Sequence, residues 1–360
     1  MRLFQNSGLS GAYRSHLAVI TAGLTTFDER IAAFITDRYG ASHFLKPVLD
    51  HDPNAFLTNG DDAVTQRVWA RERGLRQSVS MEEILLTQIE EHRTDVFYNM
   101  DPVRYDSKFV KKMPSGVKSC LCWRAAPSPG ADFRAYDLVL CNFPFIIESW
   151  RRQGYRSEYF APAHDPIMDN LAGNHERTVD VTFVGTYSRH HKRRARILES
   201  VAGLADEFRI VLSLDQSRLN RLSESALGIL PGLRAHRRPA SIRRTSSGPV
   251  FGMNLYRALS NSKIVLNGAI DMSGNDRGNM RCFEAMGCGA LLVSDSGRYP
   301  SGMVNGETMI EYDSPDDVEN VIRTVLANWS HSEQIARRGS SMIRSVYGKA
   351  IQWQKFQLLL

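Results

Sequence analysis

Short apolar runs alternate along most of the chain with stretches whose apolar positions recur every three or four residues. That alternation predicts strands and helices taken in turn, the mark of an α/β protein with parallel sheets. The run RLFQN over 2–6 reads as a first strand and passes into the loop Ser7-Gly8-Leu9-Ser10-Gly11. Helical spacing follows around 26–39, and again over 63–73 and 81–92. DVFYNM (95–100), KSCLCW (118–123) and LVLCN (138–142) read as buried strands, with APSPGAD between the last two as a loop. The period is lost over 159–178, where Pro, Gly, Asn and Asp gather as in a linker. A fresh series opens at DVTFVG (180–185), runs through a basic helix to about 202, and reaches the strand FRIVLSL. Residues 231–250, rich in Arg, Pro and Ser, read as a loop. Then come a helix over 252–261, the strand KIVLN, a polar loop, a helix over 279–287, the strand ALLVSD and a helix over 315–327. Residues 331–360 read as helical to the end. The expected division is a first domain over 1–165, a linker over 166–178, a second domain over 179–338 and a final helix over 339–360.

Composition narrows the class. With 360 residues, 42% hydrophobic and 23% charged, the chain is long enough for two cored domains and too apolar for wholesale disorder. No stretch approaches the ~18 apolar residues of a membrane helix, and the first residues lack the apolar centre of a signal peptide. A cytoplasmic location is therefore expected, with contact at the inner face of a membrane left open. The five cysteines, odd in number and without a CxxC, read as reduced thiols rather than disulfides or a zinc site. The net charge of +6 is carried by 36 Arg against only nine Lys. Arginine in such excess suits bidentate phosphate recognition, although genomic composition alone also produces it.

The densest chemistry lies in AIDMSGNDRGNMRCFEAMGCGALLVSD, which ends at Asp295. A strand runs into a Gly/Asn/Asp loop, and a short helix starts near Asn279 with Met280 in its first turn. Unpaired N–H groups at a helix start, with the positive end of its dipole, favour an anion. Arg277 and Arg281 flank that start with donors suited to a diphosphate. Glu284, one turn on beside Phe283, can accept from a pair of sugar hydroxyls. A capped helix with solvated arginines is the competing reading. Asp50-His51-Asp52 matches a metal-binding DxD in form but sits in a polar turn, so no metal and no cofactor are expected.

The segment Arg281-Cys282-Phe283-Glu284, with Asp276 eight positions before Glu284, resembles the donor-site signature of group-1 glycosyltransferases of the GT-B fold. Its Arg-x-Phe-Glu form resembles the CgeB-like spore-maturation branch. The segments DVTFVGTYSRHHKRRARILE, LYRALSNSKIVLN and YDLVLCNFPFIIESWRRQGYRSEYFAPAHDP are similar to the same branch. The resemblance implies two Rossmann-like domains facing across a cleft, with the C-terminal helix crossing back to the first. It implies a nucleotide-sugar held by the second domain as co-substrate, transfer with retention, and no metal. Gly185, Thr186 and Tyr187 would line the first turn of that domain. Arg189 and Lys192, with Arg193 as a rival, would neutralise the leaving diphosphate. Asn267 would orient the donor loop or the nucleotide, or else serve as a cap. Glu284 would hold the ribose and Asp276 the sugar hydroxyls. Ser7 and Gly8, Trp123 and Arg124 (where related enzymes often carry a His), and His164 in the linker are the acceptor-side candidates. The acceptor would be a glycan, a lipid-linked sugar or a protein.

Two rivals stand beside a glycosyltransferase. The same fold serves sugar-nucleotide epimerases, and the arginine runs at 189–196 and 234–244 would suit a nucleic-acid-binding protein. The second lacks aromatics interleaved with its charge, so no nucleic-acid partner is expected.

Overall fold

The structure, a computed structural model, describes residues 1–188, 191–216, 218–234, 236–268 and 272–360. The chain divides into two compact units. The first takes Met1–Ala163, Met272–Asp276 and Tyr347–Leu360; the second takes His164–Asp271 and Arg277–Val346.

The first unit is built on six parallel strands: β1 (Leu3–Asn6), β2 (Ala55–Thr58), β3 (Val96–Asn99), β4 (Ser119–Trp123), β5 (Leu138–Cys141) and β6 (Ser157–Tyr159). Their order is β2-β1-β3-β4-β5-β6. Because β1 lies between β2 and β3, the chain leaves it in one direction and later returns on the other side. The carboxyl ends of β1 and β3 are thus the place where ligands bind in sheets of this kind. The alternation in KSCLCW turns Cys120 and Cys122 to one face, where both join the core with Phe4, Phe97, Val139 and Trp150.

The second unit repeats the plan with β7 (Val179–Thr186), β8 (Ile210–Asp215), β9 (Ser246–Ser247), β10 (Ser262–Leu266), β11 (Leu291–Asp295) and β12 (Ile310–Tyr312). The order β12-β11-β10-β7-β8-β9 puts the reversal between β7 and β10. Val181, Leu212, Ile264 and Leu291 pack under the helices Lys192–Gly203 and Val318–Ala327.

Several elements depart from the sequence pattern. Residues 231–250 are not one loop: helices Pro231–Arg234 and Ala240–Thr245 and strand β9 occupy them. Ile242 is fully buried, and Arg238 is buried in a bidentate pair with Glu224 (2.6 and 2.8 Å). One apolar anchor and one satisfied charge order a segment whose composition reads as solvated. The tail is two helices, Trp329–Val346 and Lys349–Gln357, parted at Tyr347-Gly348. Strands β2, β6 and β12, three or four residues each, are too short to show a period. Among the described residues, no helix is long and apolar enough to cross a membrane.

Candidate functional site

In the second unit the carboxyl ends of β7, β10, β11 and β12 gather a set of polar side chains. Asn267 follows β10 and is almost wholly buried. Its amide nitrogen donates to Ser294 Oγ (3.0 Å), and its amide oxygen accepts from Asn279 Nδ2 (3.1 Å). Its carbonyl accepts from the Tyr312 hydroxyl (2.8 Å). Asn267 thereby ties three strands to the start of the helix Met280–Gly287. Asn279 spends its side chain on that tie and makes no capping bond, although it stands at the N-cap position. The positive end of the helix is therefore left without its own side-chain acceptor.

Arg277 precedes this start and pairs through Nε with Asp295 Oδ2 (2.9 Å), both side chains being largely buried. Gly278 between them has φ +97°, and a Cβ there would lie 2.5 Å from the Pro300 ring, so only glycine fits. Within the helix, Arg281 Nη1 reaches Glu284 Oε2 (2.5 Å), three residues on. Glu284 is 1% exposed. Burial pushes its carboxyl up from the ordinary glutamate value, and the Arg281 charge opposes that rise. Met280 and Arg281 are half-buried, while Phe283 is a core residue.

On the β7 side, Gly185 and Thr186 remain in the strand, paired with Leu214 and Asp215. Tyr187 follows, and its hydroxyl donates to Glu199 (2.5 Å). Arg189 lies outside the described residues. Lys192 opens the helix Lys192–Gly203 and is exposed; Arg193 donates to the Asp313 carbonyl (2.8 Å). Arg194 belongs to the basic run but is not one of the donor-site candidates of the sequence. It is buried, it lies 5.9 Å over the Phe183 ring, and its Nη2 donates to the carbonyl of Gly268 (2.6 Å), next to Asn267. The signal was present: Arg194 shares a helix face with Ile197, Leu198 and Val201, whereas Lys192 and Arg193 do not.

Asp276 is parted from Glu284 by the division into units. It belongs to the first, where its Oδ2 accepts from the Phe145 N–H (2.6 Å). The helix Pro144–Arg152 has Phe143 at its N-cap, which offers no side-chain acceptor, and Asp276 supplies one from a remote part of the chain.

The carboxyl ends of β1 and β3 in the first unit are joined by Asn6 Nδ2 donating to Asn99 Oδ1 (2.9 Å). Ser7 is buried; its N–H donates to the Thr58 carbonyl (2.9 Å), and its own carbonyl accepts from Asn59 (3.2 Å). A Cβ on Gly8 would lie 3.0 Å from that of Asp101. Asp61, absent from the sequence-based candidates, accepts from the Leu9 N–H (3.1 Å) and pairs with Arg14. Trp123 is buried with its ring 4.5 Å from that of His43. Arg124 donates to Ser128 Oγ (2.6 Å). His164, an acceptor-side candidate from the sequence, belongs to the second unit and is 2% exposed. Its Nε2 lies 2.8 Å from Asp169, and the ring abuts Gly287, where a Cβ would lie 3.0 Å from Nδ1. Asp50-His51-Asp52 is a turn: His51 has φ +55° and Asp52 accepts from the Asn54 N–H.

A family model described as glycosyl transferase-like matches residues 194–355. No curated protein matches the chain by sequence. Among solved structures, the chain is similar to HepE from Anabaena in complex with UDP and glucose. The two share 12% identity over 100% of this chain and 99% of that one, with a TM-score of 0.58. Sucrose-phosphate synthase from Thermosynechococcus elongatus is similar at 12% identity over 86% and 84% of the two chains, with a TM-score of 0.54. A glycosyltransferase from Rickettsia africae is similar at 11% identity over 99% and 97%, also at 0.54. At such identities the structural likeness establishes the fold, which is GT-B. The match over 194–355 on that fold defines the class of protein: a glycosyltransferase.

Proposed function

We propose that the chain moves a sugar from a nucleotide-sugar to an acceptor hydroxyl, with retention at the anomeric carbon and without a metal, as in the CgeB-like branch. The observation that carries this reading is the start of the helix Met280–Gly287, held by Asn267 and without a side-chain cap among the described residues. A diphosphate would take the place of the missing cap, with Arg277, Lys192 and Arg189 supplying positive charge in place of a metal. HepE, similar over its full length, was solved with UDP and with UDP-glucose, which supports a nucleotide-sugar donor.

The ribose would displace Arg281 from Glu284, and the released guanidinium would turn to the phosphates. In the reaction the bond from the anomeric carbon to the diphosphate oxygen breaks and a bond to the acceptor oxygen forms. The acceptor proton leaves with the diphosphate. Asp276 would orient the sugar hydroxyls, and the Ser7-Gly8 loop with Arg124 would face the acceptor. Neither rival reading gains an observation.

A thermal-shift panel of nucleotides and nucleotide-sugars, with UDP-glucose first, tests the proposal, because a ligand of the native state raises its melting point. Glu284→Ala should weaken the response at least tenfold in ligand concentration, the loss of about one charge-assisted hydrogen bond. Wild-type donor binding and turnover in that variant would overturn the role given to Glu284.

A further inference from the structure

Within the second unit, a cavity of about 350 Å³ opens between residues 169–177 and the helix Trp329–Val346, lined in part by Gly289 at the amino end of β11. It lies at the opposite edge of the sheet from the Asn267 cluster, since its wall meets β11 where that strand begins and the cluster sits where β10 and β11 end. Its charge is uneven. Arg337 pairs with Glu333 (2.9 Å) and Arg344 with Asp169 (2.8 Å), so two of its three guanidiniums are neutralised locally. The third, Arg177, on which Glu333 acts only from beyond contact, makes no ion pair among the described residues. It donates instead to four main-chain carbonyls, those of Ser260 (2.7 Å), Ser262 (3.0 Å), Ala172 (3.2 Å) and Cys288 (3.3 Å). Carbonyl dipoles hold this cation in place without cancelling its charge. A second observation stands independently of it. Ser340, 6% exposed, is part of the cavity lining, and its buried hydroxyl has no hydrogen-bond partner among the described residues. An unmade bond at a buried hydroxyl is a cost to the fold, which a ligand atom reaching it would recover.

We propose that this cavity is an anion site for a phosphate group, free or as a small monoester, separate from the donor site. A phosphate brings the charge that Arg177 lacks and acceptor oxygens for Ser340 and the guanidinium of Arg337. The volume admits the group with a small substituent. The proposal does not rest on the glycosyl-transfer reading.

Inorganic phosphate titrated into the full chain, followed by calorimetry, tests it. Saturable binding is expected, weakened about five- to tenfold in Ser340→Ala and further in Arg337→Ala, and unchanged in Glu284→Ala. Vesicles containing phosphatidate form a second arm. Binding there but not to free phosphate, weakened by Ser340→Ala, would identify a lipid headgroup as the source of the same phosphate chemistry. No saturable binding in either arm would overturn the site. So would full affinity in both Ser340→Ala and Arg337→Ala, and any change of affinity in Glu284→Ala, which frees Arg281 at the donor helix, would move the bound phosphate to the donor site.

Discussion

His43 shows how far an environment can move a side chain from its sequence expectation. It is buried against Trp123 beside the ammonium of Lys349, and burial, with that charge second, pulls its pKa down to about 3. The folded chain therefore keeps the imidazole neutral, while the unfolded chain takes up a proton below about 6.5. The stability this neutrality provides is present in full above that value. It is lost as pH falls from 6.5 towards 3, at about 1.4 kcal/mol per pH unit for this one group. His43→Phe keeps an aromatic ring on Trp123 and removes the titration. Urea unfolding at pH 7 and pH 4.5 should show a smaller acid loss in the variant than in wild type; equal losses would contradict the buried neutral imidazole. Glu284 and Arg281 were both legible as residue types at helical spacing. That they pair with each other was not, because the same spacing serves a solvated face equally well.

Among the elements, the helix Pro144–Arg152 depends on a partner remote in sequence. Its N-cap is Phe143, and the acceptor it lacks is the Asp276 carboxylate. Asp276→Ala should cost about 0.5–2 kcal/mol of stability. Asp276→Asn keeps an oxygen acceptor and should recover most of it, read as the melting temperature. A loss of turnover in Asp276→Asn without that destabilisation would separate a role towards sugar from the cap. The longer strands and helices were legible because their apolar sets keep one period. The helix Ala240–Thr245 was not, since a single buried apolar residue, Ile242, and the Arg238–Glu224 pair define its segment. Nothing in the spacing of an arginine-rich stretch distinguishes one buried guanidinium from several solvated ones.

At the scale of the whole molecule, the chain's last helix, Lys349–Gln357, is part of the unit that its first residues build. Lys349 is 5% exposed and donates to the carbonyls of Ala41 (2.7 Å), Ser42 (3.0 Å) and Phe44 (2.6 Å). Gln352 adds a bond to the Ala161 carbonyl (3.1 Å), and Phe356 packs on Tyr98 and Phe160. Lys349→Met would remove a donor from three carbonyls, of which Ala41 and Ser42 keep another from the Phe44 and Ala163 N–H groups, at a cost of about 1–3 kcal/mol. Limited proteolysis should then cut the first unit faster than in wild type. An unchanged cleavage rate would show that the ammonium is dispensable.

By itself, the sequence determined the α/β class, the longer strands and helices, and the Arg-x-Phe-Glu segment with its glycosyltransferase resemblance. All of these rest on local periodicity or on contiguous motifs, which a chain carries before it folds. Only the tertiary structure decided which polar groups meet. Asn267 with Asn279 and Ser294, Arg194 with Gly268, Asp276 with Phe145, and Lys349 with the carbonyls of 41–44 are pairings between distant segments. Their energy comes from satisfying buried donors and acceptors, and burial is a property of the packed chain. The arginine excess divides along the same line. Its size is read from composition, but Arg277 in an ion pair, Arg177 among carbonyls and Arg193 at the surface differ only in what folding placed around them.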